Sequence, residues 1–583
     1  TLFLGANGAS LDVAAGKTLT INGYITSEIS QISAANGYTA NQLGGVDDPA
    51  SNGNPDIGDL IIQGGGTVVL TGSPDNTIRA NMLNSYGGIT WINNGTLKIA
   101  GDGSSAFGAL GTNRSFIDGT IIGGDGTLEF STTSDPSLYE WLTLGGTGYQ
   151  GRGAVLTTGT GRVVRLNGQM QVDSPTLFNL ASNTYGYIRL GEQGGALYGS
   201  GDILRTGGNE FGFYVNAPDW TGRFLSGSGT DRVSGTANLQ GMLEMELDRN
   251  SFFLYSGGST GVDEFRDRLN DNLVTTINGY VRMRIENAAG VFSGEEKIGV
   301  VNVNSGVFGI EFALGGDVIN GGVRLQGDYA AWHFTDIVRN QGTTVQVRNF
   351  DPGMDISSGV TDLTNRALVL VDNAPTLSGA GDGTNGNTAI IAGFFGGTRP
   401  TLLNTTTGIA WDEDRTSRFL MTSVLSTDPI TGAPVYYLRP LSDAPGSTDY
   451  KIVNDAGTTA ASAGPLNLTT AGINADQNVR FVGITDDAIG HGFTSRINSI
   501  LTLDTVLETN SVTFATDATA TNVNGGGNQV NLMMTQGGTL KINSGVLMFA
   551  NMGTMDRLGN SSNTGINLDI NNYIIGEIGR AHV

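Results

Sequence analysis

The stretch that decides the fold reads Gly64-Gly-Gly-Thr-Val-Val-Leu-Thr-Gly72, then a polar span, then Gly87-Gly-Ile-Thr-Trp-Ile-Asn-Asn-Gly-Thr-Leu-Lys-Ile-Ala-Gly101. Glycine and threonine open each run, apolar and polar residues alternate through it, and glycine closes it. Alternation with period two marks a strand buried on one face, and the glycines mark its corners. The unit returns as Gly126-Thr-Leu-Glu-Phe130, and Gly-Thr-Leu-Lys-Ile occurs identically at 95–99 and 538–542. The copies that start at Gly66, Gly95 and Gly126 lie about 30 residues apart, within the range of coiled repeats. The expected fold is all-β: a right-handed parallel β-helix, in one or two segments.

Working outward, 583 residues exceed one compact core, whereas a solenoid grows along its axis. The 90 glycines are about twice the usual share and show no Gly-X-Y period, which excludes collagen. No apolar run reaches the length of a membrane-spanning helix. Net charge is −23 on 15% charged residues, so the surface is carried by Thr, Ser, Asn and Gly. The balance argues against nucleic acid and anionic membranes as partners. It fits a polar exported protein, with an acidic soluble protein as the plainer alternative. The absence of cysteine excludes disulfides, thiolate metal sites and cysteine nucleophiles.

Short strands separated by Gly, Asn, Asp and Ser clusters fill the region up to residue 256, and Lys17-Thr-Leu-Thr-Ile21 is expected to place Leu19 and Ile21 on one face. From Gly261 to Leu273, Val262, Phe265, Leu269 and Leu273 fall at helical spacing. Thr260 is positioned as a cap, and Asp263 and Glu264 sit in the first turn, so a short side helix is expected over 261–273. Strand alternation resumes cleanly at Tyr280-Val-Arg-Met-Arg-Ile-Glu286. The expected division is a β-helix segment over 1–371, an irregular insertion or junction over 372–471 with most of the proline turns, and a second β-helix segment over 472–576. The last residues, Glu577-Ile-Gly-Arg-Ala-His-Val583, resemble a translated sequencing adapter and are set aside as an artefact. Both native ends are therefore expected to be missing, and open ends are expected to favour end-to-end association of the fragment.

The repeat unit near 58–111, closed by Phe107-Gly-Ala-Leu-Gly111, resembles one autotransporter-associated β-strand repeat. Where that family usually has Asn-Thr-Tyr-Thr-Gly-Gly, this chain has Asn76-Thr77-Ile78 and then Ser85-Tyr86-Gly87-Gly88. The resemblance covers about a tenth of the chain. It implies a right-handed β-helix passenger of a large exported or cell-surface bacterial protein, outer-membrane associated and structural or adhesive. Extracellular glycans or other surface proteins are the expected partners. The repeat carries no catalytic residues.

Parallel β-helices also host polysaccharide lyases and hydrolases, so a carbohydrate-active enzyme, or a glycan-binding module, is the alternative. Thr485-Asp-Asp-Ala-Ile-Gly-His-Gly492 followed by Arg496-Ile-Asn498 resembles fragments of polygalacturonases. In those enzymes the elements lie on different turns of the coil, stacked about 4.8 Å apart, whereas here they share one short stretch. Asn498 replaces the lysine, and adjacent Asp486 and Asp487 would point to opposite sides of a strand. Asp47, Asp48, Asp56 and Asp59 form an acidic loop with calcium-type ligands but irregular spacing, and Asp382 lies in a glycine-rich loop. His333 reads as a packed strand residue. Three histidines without cysteine argue against zinc. Trp91, Trp141 and Trp220 either stack on sugars or cover the coil. The expectation is no enzyme, no catalytic or metal site, and no cofactor.

Overall fold

The structure is a computed structural model. It describes residues 2–4, 8–22, 25–27, 59–71, 88–101, 119–256, 268–287, 293–314, 329–349, 366–398, 419–454, 466–467, 472–483, 498–516, 529–534, 539–550 and 568–569, with short internal breaks. The chain divides into two compact units, Thr1–Gly290 with Glu295–Asn302, and Val291–Gly294 with Val303–Val583. Among the described residues the secondary structure is almost wholly strand, and the one helical element is the 3-10 turn Tyr149–Gly151. None of their helices is long and apolar enough to cross a membrane.

The first unit is built of three parallel ladders. The first runs through Ala9–Asp12, Leu60–Gln63, 90–92, 120–122, Leu142–Gly146, 169–172 and Ala196–Tyr198. The second runs through Thr18–Ile21, Thr67–Leu70, 96–99, 127–130, Val155–Thr157, 178–180, Ile203–Gly207, Phe224–Ser226, Glu244–Asp248 and 274–278. The third runs through Ser137–Leu138, Val163–Leu166, Tyr187–Leu190, Glu210–Phe213, Gly229–Val233, Ser251–Ser256 and 281–286. Successive turns of the chain, or rungs, extend these ladders, each new strand pairing in parallel with one of the turn before it. This is the arrangement of a β-solenoid.

The alternation read from the sequence sets which face is inside. Leu97, Ile99, Leu128 and Phe130 are buried, and so are Val281, Met283 and Ile285. Farther along, Phe211, Phe213 and Phe224 meet with ring centroids 5.0 to 5.9 Å apart, in edge and stacked contacts. Each such ring contributes roughly 2–3 kcal/mol by leaving water. Leu19 faces the same way as buried Val68, its register partner, yet is 38% exposed.

The corner between the first two ladders explains the glycine of the repeat. Gly95 and Gly126 are register partners, and Gly95 has φ 112°. A Cβ on Gly126 would lie 2.0 Å from the Ile92 carbonyl oxygen, so the backbones approach too closely for any side chain. The threonine that follows works inside the corner. Thr127 is fully buried, donates its hydroxyl to the Gly153 carbonyl at 2.8 Å, and accepts the Tyr149 N–H at 2.8 Å.

The side helix expected over 261–273 is not found where the segment is described. Gly261–Asp267 lies outside the described residues, with Val262 and Phe265. Leu269 forms a parallel bridge to Leu239, and the Leu273 N–H donates back to the Asn270 carbonyl in a turn. Leu269 and Leu273 are both buried, so their spacing of four comes from a bridge followed by a turn. The Glu296 carboxylate fixes that bridge by accepting the backbone N–H of Arg268 and of Leu269 at 3.1 and 2.8 Å.

The second unit begins in the same manner. Thr344–Asn349 pairs in parallel with 307–312 and with Phe394–Thr398, and Tyr329–Arg339 pairs in parallel with Arg366–Val371. The ladder then reverses. Phe419–Thr427 and Pro434–Pro440 form an antiparallel hairpin that joins antiparallel to the strands before it. The hairpin falls within 372–471, the expected junction. Parallel pairing returns in Lys451–Asn454, Asn478–Gly483, Val506–Thr516 and Thr539–Ala550. A second parallel set holds Leu466–Asn467, Asn498–Leu503, Gln529–Met534 and Leu568–Asp569.

Buried polar bonds join Thr388 and Asp449 to their neighbours on these strands and on the hairpin. Asn510 Nδ2 donates to Asn478 Oδ1 at 2.8 Å, and Asn478 Nδ2 donates to the Thr388 carbonyl at 2.6 Å. Asp449 receives both Arg439 Nη atoms, at 2.6 and 2.9 Å, together with the Thr388 hydroxyl at 2.8 Å. Burial works to raise the Asp449 carboxyl, but these donors and the Ser442 N–H outweigh it and hold it below the usual range.

Candidate functional site

The described residues offer the solvent side of the ladders as the surface available for recognition. Its chemistry follows from register. In parallel pairing a residue lies beside its counterpart on the next rung, about 4.8 Å away, so an outward charge meets whatever the next turn supplies. Lys98 and Glu129 are register partners, and Lys98 Nζ donates to Glu129 Oε1 at 2.8 Å. Arg152 Nη2 reaches the other oxygen at 3.2 Å, and the Thr158 hydroxyl adds a bond at 2.7 Å. Glu129 faces outward yet is only 4% exposed beneath these groups. Burial pushes its carboxyl up, but Lys98, Thr158 and Arg152 pull harder, and it sits below its ordinary range.

A longer chain of charges crosses the third ladder. Arg165 pairs with Glu192 at 2.5 Å, Glu192 with Arg189 at 2.5 Å, Arg189 with Glu210 at 3.2 Å, and Glu210 with Arg232 at 3.1 Å. The Arg189 guanidinium also lies over the Tyr214 ring, 5.3 Å from its centroid. Gly212, the register neighbour of both Arg189 and Arg232, leaves the space that ring needs, since a Cβ there would lie 2.7 Å from it. Such a face is ordered and largely neutralised within itself.

Arg205 of the second ladder, Asp231 of the third, and Glu140 are buried instead. Arg205 Nε lies 3.5 Å from Asp231 Oδ1, both side chains being fully buried, and the Ser226 hydroxyl donates to Asp231 Oδ2 at 2.5 Å. Burial outweighs both partners, and the Asp231 carboxyl is pushed up to about 6. Glu140 is buried with the Thr120 hydroxyl on one oxygen at 2.7 Å, and burial holds its carboxyl well above the ordinary value against that single bond.

The residues singled out in the sequence distribute unevenly. Asp486, Asp487, His491 and Arg496 lie outside the described residues, as do Asp47, Asp48, Asp56, Asp382 and residues 577–583, while Asn498 opens a strand. Asp59 is described and has a structural bond: its Oδ1 accepts the Ile89 N–H at 2.9 Å, linking two rungs. His333 is a packed strand residue, 1% exposed, with Nε2 2.7 Å from Asp372 Oδ1. The three tryptophans separate. Trp220 is fully buried and donates its indole N–H to the Gly201 carbonyl at 2.9 Å, and so belongs to the core. Trp141 lies parallel to Tyr198 with centroids 6.2 Å apart. Trp91 is 45% exposed between Ile61 and Ile121 on the outer side of the first ladder.

Comparison with known proteins gives one likeness. The chain is similar to the adhesin BmaC autotransporter of Brucella suis biovar 1 (strain 1330), 32% identical in a 187-residue alignment that covers 28% of this chain and 5% of the relative. The chain thus spans only a small part of the length of the curated relative it matches. No family model matches, and no solved structure matches.

Proposed function

We propose that this chain is a stretch of the passenger region of a large bacterial surface protein, a right-handed parallel β-helix whose role is structural and adhesive rather than catalytic. The observation that carries the reading is the parallel stacking of outward side chains in three ladders, with charges paired from rung to rung. A surface of this kind presents a regular polar face along successive turns and needs neither disulfides nor metal to hold it. The likeness to an autotransporter adhesin supports the same reading and points to the outer surface of the cell, with extracellular glycans or surface proteins as partners. The strand-rich fold and the repeat near 58–111 are what the autotransporter-associated repeat would give.

The test is adhesion itself. Beads coated with the purified chain should attach to cell monolayers above albumin-coated beads, and the soluble chain should compete. Protease treatment of intact producing cells should remove the segment. Equal attachment of both bead types, together with a segment shielded from protease, contradicts the proposal.

A further inference from the structure

The second unit holds a pocket of about 220 Å³ built from three segments far apart in sequence: Arg339 to Thr344, Ala392 to Phe395, and Asn543 to Leu547. Its charged group is Arg339. Arg165, Arg189, Arg232, Arg348 and Arg439 all face a carboxylate. Arg339 differs. Its Nη1 donates to the Thr343 and Asn340 carbonyls at 2.7 and 3.5 Å, and among the described residues no acid faces it and its Nε and Nη2 have no acceptor. The Glu508 carboxylate, beside Asn543, is held by Lys541 at 2.6 Å. Burial, with no acid to oppose it, draws the Arg339 guanidinium below its usual range.

In a chain of net charge −23, a half-buried cation with no acidic partner is an unusual placement. Its setting is specific. The guanidinium packs against Gly393, where a Cβ would come 2.6 Å from Arg339 Cζ and the backbone φ of 80° also favours glycine. Gln341, Asn543 and Ser544 line the same pocket; the Asn543 amide donates to the Ala475 carbonyl and the Ser544 hydroxyl to the Asn510 carbonyl, and buried Phe395 and Val546 add apolar residues to the lining. The volume is below that of pockets for drug-sized ligands and suits one small ring.

We infer that this pocket binds a monosaccharide unit that carries a carboxylate, such as a uronic acid within an acidic glycan. The open edge of a guanidinium matches a carboxylate with two parallel hydrogen bonds. One cation balances one negative charge; a dianionic phosphate would need more than this pocket supplies. The exposed Gln341 amide suits ring hydroxyls, and the apolar lining suits the C–H face of a sugar. The inference names a ligand for the proposed surface role, but the pocket's anion chemistry stands without that role.

Ligand-observed NMR and calorimetry on the full chain, with sodium glucuronate, glucose and sodium sulfate as probes, test it. Glucuronate should bind at least about tenfold more tightly than glucose or sulfate, and Arg339→Gln should weaken it by about tenfold or more with the melting temperature kept. Arg339→Lys should recover only part of the loss. Should Arg339→Gln fail to fold, Gln341→Glu, an exposed change that sets a negative charge at the pocket, must weaken glucuronate as well. Glucuronate binding indifferent to these changes, or absent, overturns the inference. Sulfate and glucuronate bound equally, and lost together in Arg339→Gln, leave an anion site and overturn the sugar. Bead adhesion measured in parallel separates the two readings: a chain that binds glucuronate but does not adhere retains the pocket and loses the adhesive role.

Discussion

Lys98 Nζ sits 2.8 Å from Glu129 Oε1, its register partner on the following rung, and the identical pentapeptide at 538–542 puts Lys541 Nζ 2.6 Å from Glu508 Oε1, its register partner on the preceding one. One sequence unit thus makes one cross-rung contact in both units of the chain. The settings differ, because the Glu129 side chain is 5% exposed and that of Glu508 is 39%.

Burial should decide what each glutamate is worth. Glu129→Gln removes the charge that Lys98, Arg152 and Thr158 share, and should cost about 1–2 kcal/mol in urea unfolding. Glu508→Gln should leave the unfolding midpoint unchanged. Equal effects would contradict the packing described for Glu129.

The pH dependence of Glu140 has a definite sign. Its folded carboxyl is raised above the ordinary value near 4.5 by burial. Its contribution to stability is therefore full below that value and is lost as pH rises from there through the folded value. Glu140→Gln should match the parent at pH 4 and exceed it at pH 7 by about 1–3 kcal/mol. Thermal unfolding at the two pH values checks this; a variant weaker at pH 7 than at pH 4, relative to the parent, would contradict it.

The corner glycine gives a paired comparison. Gly126→Ala sets a methyl group against the Ile92 carbonyl and should cost about 1–3 kcal/mol. Gly124→Ala meets nothing within 4 Å and should be neutral or slightly stabilising. Denaturant midpoints of the two variants measure the difference.

Much of the first unit was legible because period-two alternation and the Gly-Thr corner are local properties. Leu97, Ile99, Leu128 and Phe130 point inward as their spacing requires. What depends on register was not legible. Glu129 reads as an exposed residue in a strand, and only the rung on either side shows that Lys98 and Arg152 cover it. Lys98→Thr, neutral for a free surface lysine, should therefore cost about 1 kcal/mol. The spacing of Leu269 and Leu273 misled because a bridge and a turn reproduce a helical interval over a few residues. The Arg339 pocket gave no sequence signal, since its three segments meet only in the fold.

Catalysis is tested at the residues that resemble a hydrolase. The chain should not turn over polygalacturonate, and Asp487→Asn should change nothing in a reducing-end assay. Turnover that disappears in that variant would establish the enzyme reading instead.

The central claim, parallel strands stacked in register, is tested most directly by disulfide trapping in this cysteine-free chain. Thr143 and Gln171 are register partners on the outward side of the first ladder. Neighbouring parallel strands lie about 4.8 Å apart, within the Cα separation a disulfide accepts. Thr143→Cys with Gln171→Cys should oxidise to an intramolecular disulfide, read by gel mobility and mass spectrometry. Thr143→Cys with Asp173→Cys, two residues out of register, should remain reduced under the same conditions. Cross-linking of the out-of-register pair, or of neither, would contradict the ladder.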